Sequence, residues 1–221
     1  MNLRIFDTVS DLIRAAERTI VQLAEGRESM TIALSGGSTP KPLYERLGKR
    51  EELAKIAITW VLVDERYVPL DDPQSNAAMI QRTLFANGMP PSHRFLRFKT
   101  ELNDPVLTAK QFEKEWDVEQ VDLILLGCGD DGHTASLFPG TPVLEIEDRI
   151  AAEVFVPRLD QWRVTLTMPV IRAATLRIVL MPGASKAKIL RDVREGAEYP
   201  VALATRGVET WWYVDEEALR C

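Results

Sequence analysis

Residues 121–133 read VDLILLGCGDDGH and join a strand-like apolar run to a polar, glycine-rich turn. The run lacks the alternation of apolar and polar residues that marks a strand with one wet face, so both of its faces are predicted to be covered. Such strands belong to parallel sheets that carry helices on either side. Similar strand-like runs lie at residues 30–34, 58–63, 164–167, 176–181 and 211–214.

Helix-like stretches alternate with these strands. The first is the clearest, because apolar residues recur at helical spacing from Val9 to Ala24. A capping-box pattern at Thr8 and Asp11 marks its start, and Gly26 suits its end. Further helices are predicted through residues 43–47, 77–85, 106–116 and 184–193. The sequence therefore predicts an α/β fold with a single doubly wound, mostly parallel sheet and helices on both faces.

The chain is predicted to form one domain over residues 1–221, with a first strand near Leu3. No internal repeat, low-complexity tract or Gly/Ser-rich linker divides it. Residues 89–100 contain two consecutive prolines and are predicted to form a loop. His93, within that loop, is predicted to be a surface residue.

Composition and charge argue against several classes of protein. The chain has 27 Lys plus Arg against 33 Asp plus Glu, a net charge of −6, and such a balance disfavours a nucleic-acid partner. The N-terminus lacks an apolar signal core, and no run approaches the roughly 18 apolar residues of a membrane span. Cys128 and Cys221 lie far apart and give no disulfide framework. We expect a cytoplasmic protein with no membrane partner.

Polar and glycine-rich segments follow three of the predicted strands, directly after Leu34, Val63 and Leu126. In an open α/β sheet, ligands bind outside the carboxyl ends of the strands. The three segments are therefore predicted to converge on one site.

The first segment, SGGSTP at residues 35–40, has the character of an anion-binding loop. Gly36 and Gly37 allow the backbone to approach a phosphate closely, and Ser38 or Thr39 can cap the helix that follows. The spacing matches neither a Walker A loop nor a dinucleotide-binding fingerprint. A tight strand-to-helix turn with an ordinary cap explains the pattern equally well.

The second segment places three charged residues, 64–66, directly after a buried strand. Arg66 is a candidate for bidentate contact with a phosphate, and Asp64 for bonding sugar hydroxyls or orienting water. The alternative is a solvated loop with a local ion pair.

The third segment contains His133, one of two histidines in the chain, two residues beyond Asp131. An imidazole is well suited to move protons at neutral pH, and a neighbouring carboxylate would fix its tautomer. A hydrogen-bonded turn histidine is the alternative. Cys128 fits a small buried residue better than a nucleophile, because only His133 lies near it in sequence to activate a thiol. No recognisable spacing of ligands surrounds these residues, so we expect no metal.

A fourth candidate is Lys186, which follows the strand ending at Met181 and lies at the start of a predicted helix. It is placed to reach back to an anion, although a lysine in a first helical turn is commonly just solvated.

These motifs, in this order, resemble those of 6-phosphogluconolactonases. The stretches that carry the resemblance are ALSGGSTPK at residues 33–41, DERYVP at 64–69 with Ser75 and Asn76, GCGDDGHTASLFP at 127–139, VTLTMPVI at 164–171 and GASKA at 183–187. The resemblance extends from about residue 5 to residue 215. One departure is Arg172, where the family usually has asparagine.

The resemblance implies an α/β domain related to glucosamine-6-phosphate deaminase and cofactor-independent hydrolysis of 6-phosphoglucono-δ-lactone, in the oxidative pentose phosphate pathway. For such a reaction we hypothesise that His133 acts as general base and then as general acid, with Asp131 orienting it. The phosphate would lie on the loop at residues 36–39 with Arg66 and Lys186. We expect a monomer or a weak homo-oligomer.

Two other functions stay open. The deaminases share the Asp-Gly-His turn, but a catalytic glutamate of theirs corresponds to Phe138 here, which argues for a lactonase. A sugar-phosphate sensor would usually carry a DNA-binding helix-turn-helix, and we expect none here because the first strand is predicted to start near Leu3.

Overall fold

The structure is a computed structural model and describes residues 1–220. The strands are β1 (Asn2–Phe6), β2 (Ser29–Leu34), β3 (Ala57–Leu62), β4 (Asp64–Arg66), β5 (His93–Leu96), β6 (Leu123–Leu126), β7 (Ala151–Val156), β8 (Gln161–Leu166), β9 (Leu176–Leu180) and β10 (Thr210–Asp215). The α-helices are α1 (Val9–Ala24), α2 (Lys41–Leu47), α3 (Glu51–Ala54), α4 (Asn76–Thr83), α5 (Pro105–Glu115), α6 (Met168–Ala173), α7 (Ala187–Arg194) and α8 (Pro200–Thr205).

Within residues 1–220, seven strands form a parallel sheet in the order β1-β10-β9-β6-β2-β3-β5. All residues of β6 and β9 are buried, and since successive side chains point to opposite faces, both faces of the sheet are covered. The predicted parallel, doubly wound architecture is confirmed. Connections from β2 and β6 lead in opposite directions along the sheet, so the carboxyl ends of these two strands form a topological switch point.

A smaller antiparallel sheet, in the order β4-β8-β7, adjoins the larger one. Val63 joins the two sheets, because its N–H donates to the carbonyl of Leu34 at 3.0 Å and its carbonyl accepts from Leu166 at 2.8 Å. Of this sheet the sequence predicted only residues 164–167. β7 begins with alanines and a glutamate, which are depleted in strands, and β8 begins with mostly polar residues, so neither start was predicted. Residues 64–66, predicted to form a turn, form a strand.

The prediction for His93 was wrong. This residue begins β5, which lies inside the segment predicted to be a loop, and its side chain is buried. The indole N–H of Trp60 donates to Nδ1 of His93 at 3.1 Å, and Nε2 lies 2.9 Å from the carbonyl oxygen of Leu53. Tertiary pairing with β3 overrides the local effect of the two preceding prolines.

The predicted first helix is confirmed as α1, with the hydroxyl of Thr8 accepting the N–H of Asp11 at 3.1 Å. The helix predicted at residues 184–193 begins as a 3-10 turn, Ala184–Lys186, and continues as α7. Among the described helices, none is long and apolar enough to cross a membrane.

Candidate active site

A cavity of about 260 Å³ opens at the switch point, where the segments after β2 and β6 meet strands β4 and β8 of the smaller sheet. The three segments predicted to converge do meet here. The predicted site residues that line the cavity are Gly36, Gly37, Ser38, Thr39, Asp64, Arg66, His133 and Lys186. Asp131 contacts the cavity only through His133.

Two buried hydrogen bonds at Ser35 fix the start of the segment after β2. The hydroxyl of Ser35 donates to the carbonyl of Leu125 at 2.6 Å, and the hydroxyl of Tyr44 donates to the carbonyl of Ser35 at 2.6 Å. Gly36 is required sterically, because a Cβ there would lie 1.8 Å from Oδ1 of Asn76. The bonds fix the base of the loop, and the partly exposed glycine and hydroxyl groups face the cavity.

Glu65 joins β4 to the start of α4. Its buried carboxylate accepts backbone N–H groups from Arg66 at 2.8 Å, Asn76 at 2.7 Å and Ala77 at 2.8 Å, and the hydroxyl of Ser75 at 3.1 Å. Burial raises the pKa of Glu65 to about 7, against the lowering effect of the three N–H donors. This bond set fixes Asn76 at the edge of the cavity.

Asp64 and Arg66 point into the cavity from β4, while Glu65 between them points away, as alternation along a strand requires. The buried carboxylate of Asp64 accepts the hydroxyl of Ser136 at 2.7 Å. The guanidinium of Arg66 donates to the carbonyl of Gln74 at 2.6 Å. Within residues 1–220, residues 64–66 form no ion pair with one another, so the alternative of a local ion pair is wrong.

His133 and Asp131 form a hydrogen-bonded pair in the turn after β6. Nδ1 of His133 lies 2.5 Å from Oδ1 of Asp131. Burial raises the pKa of Asp131, but the hydrogen bond and charge of His133 and the charge of Arg158 outweigh it and leave the pKa below its usual value. An ionised Asp131 only accepts, so Nδ1 of His133 donates this hydrogen bond, and Nε2 is the nitrogen that carries the lone pair in the neutral form of the ring.

Three further groups position this pair. Arg158 forms an ion pair with the second oxygen of Asp131 at 2.7 Å. The ring of Phe138 stacks on His133 with centroids 4.2 Å apart, and the guanidinium of Arg158 lies 5.0 Å from the Phe138 ring centroid. The backbone N–H of Gly129 donates to the carbonyl of His133 at 2.8 Å and closes the turn.

Lys186 lies at the rim of the cavity and forms an ion pair with Asp130. The segment that carries it is fixed at Gly183, whose N–H donates to the buried carboxylate of Asp215 at 2.8 Å. Lys186 is therefore more constrained than a solvated lysine, and its role in binding an anion stays a prediction.

Cys128 also lines the cavity, but burial raises the pKa of its thiol to about 12. A thiol with such a pKa is almost fully protonated at neutral pH and is a poor nucleophile. Arg172, the departure from the family pattern, donates to the carbonyl of Leu203 at 2.5 Å and ties α6 to α8. It does not belong to the lining of the cavity within residues 1–220.

Sequence reasoning missed Arg158 and Arg163. Arg163 lies in β8 and lines the cavity, one residue before the stretch recognised as a strand. Prediction of a strand from residue 161 would have included Arg163, which lies opposite Arg66 because β8 pairs with β4. Nothing in the local sequence signals the pairing of Arg158 with Asp131, since the two residues lie 27 positions apart on different loops.

The fold and this arrangement of loops, an α/β sheet with a histidine–carboxylate pair at its switch point, match a known class. The chain belongs to the family described as Glucosamine-6-phosphate isomerases/6-phosphogluconolactonase, which matches residues 6–212. It is 38% identical over 222 residues to a 6-phosphogluconolactonase of Synechocystis sp., covering 94% of this chain and 90% of that protein.

Solved structures agree with this assignment. The crystal structure of 6-phosphogluconolactonase from Thermotoga maritima superposes with a TM-score of 0.85 at 26% identity, covering 97% of this chain and 99% of that one. A monomeric glucosamine-6-phosphate deaminase superposes with a TM-score of 0.84 at 21% identity, covering both chains fully. The second match shows the shared fold. The predicted resemblance and fold class are confirmed.

Proposed function

We propose that this protein is a lactone hydrolase that converts 6-phospho-D-glucono-1,5-lactone to 6-phospho-D-gluconate, in the second step of the oxidative pentose phosphate pathway. The observation that carries the proposal is the His133–Asp131 pair, which faces the same cavity as the glycine-rich loop after β2. The curated relatives carry the name of this activity. The cytoplasm is the proposed location.

His133 acts first as general base. Its Nε2 takes a proton from a water molecule while the water oxygen forms a bond to C1 of the lactone. Asp131 accepts the Nδ1–H throughout and stabilises the imidazolium that forms, as its short hydrogen bond supports.

His133 then acts as general acid. The tetrahedral intermediate collapses, the bond from C1 to the ring oxygen breaks, and Nε2 returns its proton to that oxygen. The product is an open-chain carboxylic acid, which loses a proton to water at neutral pH. General catalysis of this kind contributes roughly two to four orders of magnitude to the rate.

The phosphate at C6 binds at the other wall of the cavity in this proposal. The loop formed by Gly36, Gly37, Ser38 and Thr39 supplies backbone and hydroxyl donors, and Arg66 and Lys186 supply positive charge. Phosphate binding holds C1 near His133, so that binding energy at one end of the substrate positions the reacting carbon at the other. Asp64 is proposed to bond a sugar hydroxyl.

Phe138 favours hydrolysis over deamination. The deaminases of this family use a glutamate where this chain has Phe138, and here the phenylalanine ring is buried and stacked on His133. A phenyl ring neither accepts nor donates the proton that opening an amino sugar requires. Phe138 instead packs against the imidazole of His133 and restricts its position.

The experiment is a lactonase assay with the substrate generated in situ from glucose 6-phosphate, with the spontaneous hydrolysis rate subtracted. The proposal predicts a protein-dependent acceleration and no ammonia release from glucosamine 6-phosphate. Ammonia release without lactone hydrolysis would assign the site to deamination. Binding of 6-phosphogluconate without either reaction would assign it to a sensor.

A further inference from the structure

Two arginines face each other directly across the smaller sheet. Arg66 of β4 and Arg163 of β8 are register partners in an antiparallel pair, and both line the cavity. Residues directly opposite on antiparallel strands point to the same face with their Cβ atoms about 5 Å apart. Like charges in this position destabilise a sheet, and an anion bound between them would offset that repulsion.

No carboxylate of the described residues supplies that compensation through an ion pair. Neither Arg66 nor Arg163 takes part in any ion pair within residues 1–220. The Nε atom of Arg163 is buried and has no hydrogen-bond partner in the same part of the chain. An unpartnered guanidinium nitrogen is costly to bury, so the position of Arg163 in a cavity wall calls for an explanation, and an anion bound in the cavity would reach its terminal nitrogens rather than the buried Nε.

The nearby acids are already engaged elsewhere. Asp64 accepts the hydroxyl of Ser136, and the carboxylate of Glu65 points to the opposite face of β4, where it accepts the N–H groups at the start of α4. Burial lowers the pKa of Arg163, and the charge of Arg66 lowers it further against the opposing effect of Asp64. The cavity wall thus holds two cations and the carboxylate of Asp64, which forms no ion pair with either within residues 1–220, and the two positive charges leave room for a shared anionic ligand.

We propose that Arg163 is a phosphate-binding residue and that Arg66 and Arg163 together clamp the dianion of a phosphomonoester. Guanidinium groups match phosphate oxygens with paired N–H donors, and one dianion neutralises both charges. The inference deepens the proposed function, because it makes Arg163 a determinant of the preference for phosphorylated over unphosphorylated lactones.

The clamp is tested first by binding, without turnover. Thermal unfolding is followed with increasing inorganic phosphate, 6-phosphogluconate and gluconate for the unaltered protein, Arg163→Met, Arg163→Lys and Arg94→Met. Arg94 is the matched control, a strand arginine that already pairs with Asp117 outside the cavity. We expect Arg163→Met to weaken phosphate and 6-phosphogluconate binding by about 10- to 100-fold, the worth of hydrogen bonds between charged groups.

The controls separate binding from folding. Arg163→Met is expected to unfold no earlier than the unaltered protein without ligand, because the substitution removes a like-charge pair. Arg163→Lys is expected to retain part of the affinity, and Arg94→Met all of it. Phosphate affinity unchanged in Arg163→Met, or no phosphate-dependent stabilisation of the unaltered protein, would overturn the clamp.

Kinetics then test specificity. With the phosphorylated lactone, Arg163→Met is expected to lower kcat/KM about 10- to 100-fold, through a higher KM and a lower kcat, and with glucono-δ-lactone to leave kcat/KM within about twofold. Equal losses with both lactones would show that Arg163 acts at the lactone ring and would refute the inference. If the unaltered protein binds phosphate but hydrolyses no lactone, the proposed function fails and the clamp stands.

Discussion

Gly129→Ala tests the geometry of the His133–Asp131 pair without changing either residue. A Cβ at position 129 would lie 2.0 Å from Nδ1 of His133, 2.1 Å from Cε1 and 2.9 Å from Oδ1 of Asp131. Ordinary van der Waals contact begins at 3.4 Å. The imidazole must therefore retreat by about 1.4 Å, and a displacement of about 1 Å is enough to cost roughly 100-fold in rate.

The assay is lactone consumption by Gly129→Ala beside Gly127→Ala, with spontaneous hydrolysis subtracted. We expect kcat to fall about 100-fold in Gly129→Ala, because the retreating ring loses its hydrogen bond and its aim at the substrate. A Cβ at position 127 would have open space within 4 Å, so Gly127→Ala is expected to keep kcat within about threefold. A folded Gly129→Ala variant with kcat close to that of the unaltered protein would refute the assigned role of this pair.

Two further predictions concern buried groups that do not line the cavity within residues 1–220. Burial lowers the pKa of His93 below its usual value of 6.5, and the folded state therefore binds fewer protons than the unfolded state as the pH falls below about 6.5. The contribution of His93 to the free energy of unfolding is full above that pH and declines below it. In His93→Gln, the free energies of unfolding measured in urea at pH 5 and pH 8 should therefore differ less than in the unaltered protein. The same difference in both proteins would contradict this. Glu65→Gln replaces one accepting oxygen by an NH₂ group and leaves a donor unpaired, which should lower the free energy of unfolding by about 1–3 kcal/mol. Glu65→Gln should also reduce kcat/KM, because it weakens the hydrogen bonds that hold Asn76 at the cavity. If the variant has the same free energy of unfolding in urea as the unaltered protein, the hydrogen bonds assigned to Glu65 are excluded.

The parts of the fold that could be predicted from sequence are those in which local pattern and tertiary environment agree. The strand at Leu123–Leu126 is buried on both faces and reads as an apolar run, and the glycine-rich turn after it follows from the same stretch. Once three such strands are placed in a parallel sheet, their polar ends must meet at one edge. His133 and Asp131 are two residues apart, so their contact needs no knowledge of tertiary structure.

The parts that could not be predicted depend on pairing between distant segments. Arg163 reaches the cavity only because β8 pairs with β4, and the start of β8 is polar enough to look like a loop. His93 is buried because Trp60 and the carbonyl of Leu53 satisfy both ring nitrogens, which no local pattern reports. Arg158 is more than half exposed as a side chain, and exposed charges carry no periodic signal.

A lactonase assay that compares the two histidines tests the catalytic role of His133 most directly. His133→Ala is predicted to lose about two to four orders of magnitude in kcat while remaining folded, because it removes the general base and acid. His93→Gln is predicted to keep kcat, because His93 lies outside the lining of the cavity within the described residues. Lactone hydrolysis by folded His133→Ala at the rate of the unaltered protein would show that His133 is not the general base.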